Sequence, residues 1–278
     1  MAIIPVRRLC FPECFLEHLA VFAATSWECR AIVRALPTRR VERVGGVTWY
    51  GWEHPSCFVA VIQTGIGPAK ARAACQSVVA QRPWTVCIAS GYAGALAPAH
   101  IGDLVIPEQV LGCALDHSTE SVFPETSLAC NAFYRQKAQD VAQSSNCAVI
   151  PGHMVTVRTM VCLARDKQSI GRACEASGLD MESAAIGSVA AQHGIPFVVV
   201  RSISDLVDED VPRDVGLLCH PATFHRGVWA VVTAPRLWVA LNRLRRQKNV
   251  ASAGLTRFFE TFFLSLADMR STTRNLTA

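Results

Sequence analysis

The sequence lacks paired cysteines, and this absence decides how its cysteines are interpreted. It contains 12 cysteines in 278 residues, but no two of them form a Cys-x-x-Cys motif. They occur singly in apolar segments such as VCIAS and MVCLA, which is typical of buried thiols in a reducing compartment. Cys10 and Cys14 are the closest pair, and no second pair completes a zinc site. The sequence therefore predicts no disulfide framework, no metal site and a cytoplasmic location.

Long apolar runs and a strong net charge are also absent. No segment approaches the roughly 18 consecutive apolar residues of a membrane-spanning helix. Arg7 and Arg8 precede an apolar stretch, as in a secretory signal. Pro12 and Glu13 interrupt that stretch, so residues 1–17 are interpreted as an N-terminal extension. The charged fraction is 18% and the net charge is +5, so the composition does not require a nucleic-acid partner.

The sequence does contain a regular alternation of apolar runs and helical patterns. Hydrophobic residues make up 51% of the chain, which is enough for a substantial core. Short β-favouring runs predict buried strands at residues 18–25, 57–64, 85–90 and 196–204, with further strands in 102–110 and 149–157. Helical patterns cover residues 68–81, 126–143 and 182–194. Strands that alternate with helices indicate an α/β fold whose parallel sheet is covered on both faces.

Each of the four main predicted strands ends in a turn rich in polar residues or glycine, at residues 25–28, 64–70, 90–94 and 202–205. Ligands of parallel sheets bind beyond the carboxyl ends of the strands, so these turns are expected to converge on one pocket. The turn TGIG places Gly65 and Gly67 before a helix, where backbone N–H groups can approach an anion or a sugar hydroxyl. An ordinary tight turn is the alternative, because TGIG matches neither a Walker A loop nor a dinucleotide-binding fingerprint.

Acidic residues occupy or adjoin these turns. Glu28 ends the sequence TSWE, which has the form of a capping box, so its side chain either caps a helix or has a functional role. Glu182 precedes the small-residue segment SAAIGSVAA, and Asp205 directly follows a predicted buried strand. A buried acid requires a partner, and a ligand rich in hydroxyls and ring nitrogens would supply one. The sequence is also compatible with a role for Asp180 as the N-cap of the following helix alone.

Three segments carry a resemblance to a known family: QTGIGPAKA (63–71), IASGYAGALAPAHIGDLVIPEQV (88–110) and LDMESAAIGSVAAQHGIPFVVVRSISD (179–205). In their order and spacing the sequence resembles the nucleoside phosphorylase and nucleosidase superfamily, particularly the branch that hydrolyses methylthioadenosine and S-adenosylhomocysteine. The resemblance covers roughly residues 18–210 and implies one α/β domain with a three-layer nucleoside phosphorylase-like fold in which helices flank a mixed, barrel-like central sheet. The domain is assigned residues 18–214, because the basic tail begins after about Asp214. It also implies a purine nucleoside as ligand, no metal or organic cofactor, and a homo-oligomer.

The resemblance also implies roles for residues, by position. Asp205 is expected to donate a proton to N7 of the purine, and Glu28 is expected to activate water. Glu182 is expected to hold the ribose hydroxyls with Met181 beside the sugar, and Arg201 matches an arginine near the sugar or anion site. The remaining expected substrate contacts are Thr64, Gly65, Gly67, Ser90, Gly91, Met160, Val161 and Ser204.

The expected chemistry is cleavage of an N-glycosidic bond, which places positive charge on the ribose and negative charge on the departing base. Protonation assists the departure of the base, and burial at an apolar strand end is expected to keep a proton on Asp205. Glu182 is expected to stabilise the cationic sugar. Hydrolysis and phosphorolysis both stay open, with phosphate as a co-substrate in the second. Two departures from the family pattern, TVRTMVC at 156–162 and Tyr92, predict an altered base pocket.

Residues 215–278 form a basic tail of a different character. It has no acid between residues 226 and 259 but contains Arg236, Arg243, Arg245, Arg246 and Lys248. The tail is predicted to form an amphipathic helix that lies on an anionic membrane, or a helix that docks on the domain or on a dimer partner. If the tail contacts the inner membrane, the chain resembles the hopanoid-associated branch of the superfamily. That resemblance implies removal of adenine from a lipid-linked nucleoside. A nucleoside-binding module without turnover and a membrane-surface adaptor are the alternative functions.

Overall fold

The computed structural model describes residues 17–44, 46–116, 121–212 and 235–274. Its strands are β1 (Glu17–Ala23), β2 (Arg40–Val44), β3 (Val47–His54), β4 (Cys57–Gln63), β5 (Val86–Ala95), β6 (Leu104–Val105), β7 (Gln109–Asp116), β8 (Ser121–Ala129), β9 (Val149–Ile150), β10 (His153–Thr156), β11 (Ala176–Asp180) and β12 (Phe197–Asp205). Its helices are α1 (Ser26–Val33), α2 (Pro68–Val79), α3 (Ala132–Ser144), α4 (Ala164–Cys174), α5 (Ser183–Gln192) and α6 (Pro235–Arg274).

The strands form one mixed sheet that branches at β5. The main path is β2-β3-β4-β1-β5-β11-β10-β7-β8, while β12 pairs with β5 and β6, and β6 also pairs with β9. β1 runs parallel to β4 and β5, and β12 runs parallel to β5. The carboxyl ends of β1, β5 and β12 therefore meet on one side of the molecule. The predicted α/β class, with a mixed central sheet flanked by helices, is confirmed.

Two helical layers cover the sheet, and β1 shows why both faces are apolar. Leu19 and Val21 point into a core shared with α1, α3 and α6. Ala20 and Phe22 point into a second core shared with α2 and α5. A strand buried on both faces reads as a continuous apolar run, which is why β1 was recognisable from the sequence.

The C-terminal helix α6 belongs to the first of these cores. Phe258, Phe259, Phe262 and Phe263 are at most 2% exposed and pack in the cluster that includes β1 and α1. The aromatic face of the helix is thus directed into the domain, as in the docking alternative for the tail, while the basic residues Arg245 and Arg246 are exposed. Among the described residues, no helix is both long and apolar enough to cross a membrane.

The four main predicted strands correspond to β1, β4, β5 and β12, and the helices predicted at 68–81 and 182–194 correspond to α2 and α5. The helix predicted at 126–143 is wrong in its first part, because residues 126–129 continue strand β8 and pair with β7. The helix begins after Asn131, whose side chain accepts a hydrogen bond from the backbone N–H of Tyr134 and caps it. Cys10, Cys14 and the start of the tail at 215 lie outside the described residues.

Candidate active site

A cavity of about 200 Å³ lies where the carboxyl ends of β1, β5 and β12 meet. Seven of the residues predicted to serve the site line it: Glu28, Met160, Val161, Met181, Glu182, Ser204 and Asp205. A larger cavity of about 620 Å³ lies elsewhere, beside α3, and none of the predicted site residues line it. We assign the site to the smaller cavity because it gathers four carboxylates, those of Glu28, Asp180, Glu182 and Asp205, with apolar walls, as in small-molecule sites.

Glu28 is held in the capping box that its sequence predicts. It is 4% exposed, and its Oε2 accepts hydrogen bonds from the backbone N–H and the hydroxyl of Thr25, both at 2.7 Å. Its Oε1 accepts a third hydrogen bond from the backbone N–H of Tyr92 at 2.8 Å. The capping alternative is therefore realised in this structure, although Glu28 also lines the cavity.

Arg201, in the middle of β12, lies beneath the cavity and is surrounded by acids. Its side chain is 1% exposed, and its nitrogens lie 2.7 Å from Asp180, 3.6 Å from Glu182 and 3.8 Å from Glu28. Burial disfavours the charged guanidinium, but the three carboxylates outweigh it and raise the pKa of Arg201. A Cβ atom on Gly91 would lie 2.9 Å from Arg201 Nη1 and would also overlap Glu28, so glycine permits their approach. Because Asp180 also pairs with Arg201, its role is more than that of a helix cap.

Glu182 immediately precedes α5, and the fold raises the pKa of its carboxyl group. Burial raises its pKa to about 7, and the neighbouring Asp180 and Glu28 carboxylates act in the same direction, while Arg201 opposes the shift. The backbone N–H of Gly67 donates to Glu182 Oε1 at 2.8 Å. The N–H that was expected to approach an external anion thus binds a carboxylate of the chain itself.

Asp205, at the end of β12, has a partner that the sequence analysis missed. Lys167 Nζ lies 3.0 Å from Asp205 Oδ2, and the lysine side chain is 0% exposed. Ser204 donates a second hydrogen bond to Asp205 at 3.1 Å. The expectation that Asp205 lies in purely apolar surroundings is wrong, because an ammonium ion from α4 is buried against it. The available signal was the position of Lys167 on the buried stripe of α4, with Ile170, Gly171 and Cys174.

The other predicted residues lie beside or beneath the cavity. Met160 lines the cavity and is 42% exposed. The hydroxyl of Thr64 donates to the Gly65 carbonyl at 2.9 Å, in the turn before α2. Ser90 is fully buried in β5, and its hydroxyl has no hydrogen-bond partner among the described residues. Met160 therefore lines the cavity, whereas Thr64 and Ser90 do not.

The tail contributes to the cavity wall, which the sequence did not predict. Leu244 and Lys248 of α6 line the cavity together with Tyr92. The hydroxyl groups of Tyr92 and Ser252 are 2.5 Å apart, so the residue that departs from the family pattern bonds to the tail. Within the described ranges, no group of three or more His, Cys, Asp or Glu residues is arranged to hold a metal ion.

An α/β fold with a carboxylate-lined cavity at the strand ends is typical of enzymes that act on small molecules. The chain belongs to the phosphorylase superfamily, whose family model matches residues 18–225. It is 27% identical over 204 residues to the 5′-methylthioadenosine/S-adenosylhomocysteine nucleosidase of Buchnera aphidicola, covering 69% of this chain and 85% of that protein.

Two solved structures have a similar fold. One is the Neisseria meningitidis 5′-methylthioadenosine/S-adenosylhomocysteine nucleosidase in complex with methylthio-immucillin-A, with a TM-score of 0.67 and 20% sequence identity. The match covers 90% of this chain and 100% of that chain. The native Helicobacter pylori futalosine hydrolase gives 0.67 at 18% identity, covering 90% and 98%. Family and relatives together make this chain an enzyme that cleaves N-glycosidic bonds, as the sequence predicted.

Proposed function

We propose that this enzyme hydrolyses the N-glycosidic bond of a purine nucleoside and that adenine is the base released. The observation that carries the proposal is that Glu28, Glu182 and Asp205 line one cavity although they come from three separate parts of the chain. Cleavage needs stabilisation of a cationic sugar and protonation of a departing base. These three of the four carboxylates that line the cavity can serve both needs.

The sugar is assigned to the end of the cavity near Arg201. Three carboxylates, those of Glu28, Asp180 and Glu182, surround one guanidinium there, so the cluster has a surplus of negative charge when all the groups are ionised. Such fixed charge stabilises the positive charge that develops on the ribose as the bond breaks. Glu182 is the carboxylate of the cluster expected to accept hydrogen bonds from the ribose hydroxyls.

The base is assigned to the end near Asp205. As the bond breaks, its electron pair stays with the purine, and N7 takes up a proton through the Asp205 carboxylate. The Lys167 ammonium, 3.0 Å from Asp205, is the adjacent store of that proton. Solvent returns the proton to the pair after adenine leaves. Proton transfer by a positioned side chain typically contributes about 10² to 10⁴-fold to a rate.

Water, rather than phosphate, is the nucleophile in this proposal. Arg201 is 1% exposed and is shared among three carboxylates, so a phosphate at this end would be repelled by them. The oxygen of the attacking water bonds to the ribose carbon, and Glu28 accepts a proton from that water. To do so its side chain has to leave the Thr25 cap at least in part. The reaction uses no metal and no organic cofactor.

The test is release of free adenine from methylthioadenosine, S-adenosylhomocysteine, adenosine and a lipid-linked adenosine, each with and without phosphate. Asp205→Asn is expected to lower kcat by about 10³-fold because it removes the proton path. Asp208→Asn, an exposed acid three residues away, is the matched control and is expected to keep wild-type kcat. Release that requires phosphate would contradict hydrolysis. No release from any substrate would favour a nucleoside-binding module without turnover.

Peripheral membrane contact through α6 and a lipid-linked substrate are finer parts of the proposal. The phenylalanines of α6 are buried in the domain, so contact with anionic lipid would use the exposed Arg245 and Arg246. Flotation with anionic vesicles, lost in the Arg245→Glu/Arg246→Glu double variant, is the expected result. Flotation that the double variant leaves unchanged would contradict this part. The cytoplasmic location and the homo-oligomer stay predictions.

A further inference from the structure

Lys248 is the only basic side chain among the described residues that line the cavity, and the chemistry above does not use it. The four carboxylates that line the cavity are each engaged by other donors: Glu28 by Tyr92, Asp180 by Arg201, Glu182 by Gly67 and Asp205 by Lys167. Within the described part of the chain, Lys248 makes no hydrogen bond or ion pair. Its ammonium is therefore available to a ligand in a cavity whose own acids are already paired.

The position of Lys248 is fixed by the helix that carries it. Leu244, Lys248 and Ser252 are four residues apart and thus share one face of α6. On one side of Lys248, the Gln247 amide donates to Glu209 at 2.7 Å, in the segment that follows Asp205. On the other side, Ser252 bonds to the Tyr92 hydroxyl in β5. The lysine therefore lies on a wall anchored at both ends.

The helical segment that carries Lys248 is basic and contains no acid. Residues 226–259 contain no acid, and Arg245 and Arg246 are exposed on the same helical segment. Arg243, by contrast, lies 3.8 Å from Glu209 and donates to the backbone carbonyl of Asp210. A lysine can lay its aliphatic stem along apolar surface, here beside Leu244, and present its ammonium to the ligand.

We propose that Lys248 forms a subsite for an oxyanion, a carboxylate or a phosphate, carried by the substrate beyond its ribose. The inference rests on the proposed function, because it assigns base and sugar to the Asp205 and Arg201 ends of the same cavity. Free inorganic phosphate is a second source of the same chemistry.

The test compares two 5′-thioadenosines that differ at one group, a 2-carboxyethylthio derivative and its carboxamide. In Lys248→Met, the ratio of kcat/KM for the acid to that for the amide is expected to fall roughly tenfold, because the acid loses a hydrogen bond between two charged groups and the amide loses a weaker one. Arg246→Met is the control: it removes an exposed charge two residues away, on another face of the helix, and is expected to keep the ratio.

A third arm measures methylthioadenosine turnover over a range of phosphate concentrations. A phosphate effect that Lys248→Met abolishes would identify free phosphate as the occupant and support the oxyanion subsite from the other source. An unchanged acid-to-amide ratio together with no change in the phosphate arm would overturn the subsite.

Binding of the acid and the amide is measured by calorimetry with the same variants. Failure of the wild-type protein to release adenine would reject the proposed function. In that case a Kd ratio that still depends on Lys248 would support the subsite, and a ratio independent of it would reject the subsite as well.

Discussion

Two buried charge clusters lie along β12, and they differ in their balance. Around Arg201, three carboxylates share one cation, whereas at the end of the strand Asp205 and Lys167 form a one-to-one pair. The first cluster has a surplus of negative charge and the second is neutral. A reaction that makes the sugar cationic and protonates the base requires this asymmetry. The comparison explains why acids at two ends of one helix-strand unit are not interchangeable.

Removal of the cation from the larger cluster should have the largest effect. Arg201→Met leaves three buried carboxylates without their shared cation, and breaking buried charge pairs of this kind costs up to roughly 5 kcal/mol. We expect a fall of this size in the free energy of unfolding, measured by urea denaturation at pH 7.5. Arg246→Met, which removes an exposed arginine, should change it by less than about 0.5 kcal/mol. A fall below about 1 kcal/mol in Arg201→Met would mean that the carboxylates do not depend on the guanidinium.

Removal of the cation from the smaller cluster should affect catalysis more than folding. Lys167→Met takes away the proton store next to Asp205, so kcat for adenine release is expected to fall roughly 100-fold. If Lys167 acts through Asp205, the two effects are not additive, and Asp205→Asn/Lys167→Met should be about as slow as Asp205→Asn alone.

The exposed Arg172 lies on the same helix, and Arg172→Met serves as the control for α4. Additive losses in the double variant would show that Lys167 supports the fold and not the acid. Circular dichroism of the single variants separates that outcome from unfolding.

The elements of the fold could be predicted from sequence more completely than the partners within the site. β1, β4, β5 and β12 were recognisable because strands buried on both faces are continuous apolar runs. Lys167 was not recognised, because its partner lies 38 residues away and only the folded chain brings the two together. The contact of Lys248 with the cavity likewise depends on how a long helix docks, which no local pattern encodes. Local sequence predicts elements, and packing decides which charges meet.

The unequal balance of the two clusters should also appear in the pH dependence. Glu182 has a pKa of about 7 because burial and neighbouring acids outweigh Arg201. The cationic sugar needs ionised Glu182, so kcat/KM is expected to rise about tenfold between pH 6 and pH 8. Glu182→Gln should lose this rise. A flat wild-type profile over the same range would contradict the role of Glu182 as the ionised sugar anchor.

The raised pKa of Glu182 also affects stability. As the pH rises, activity is expected to increase and the free energy of unfolding is expected to decrease. A raised carboxyl pKa means that the folded state binds the proton more tightly than the unfolded state, for which the usual value is 4.5. The contribution of Glu182 is therefore full below about pH 4.5 and is lost as the pH rises towards 7. The free energy of unfolding of the wild type, relative to that of Glu182→Gln, should fall across this range. A difference that rises instead would show that Arg201 dominates the carboxyl.

The smallest expected effect separates the two interpretations of Glu28, the acid shared by the cap and the sugar cluster. Thr25→Ala removes the hydroxyl that donates to Glu28 and is expected to cost about 1 kcal/mol of stability, the usual loss for a helix cap. Thr261→Ala, whose hydroxyl bonds only within α6 in the described structure, is the control. A Glu28 that serves the cap alone would make Thr25→Ala and Glu28→Gln similar, both mildly destabilised and active. A Glu28 that takes the proton from water would leave Thr25→Ala active and lower kcat in Glu28→Gln by roughly 100-fold or more. In that case the Thr25 cap holds the Glu28 carboxylate in place between turnovers. Loss of the cap lowers the free energy of unfolding and leaves kcat unchanged.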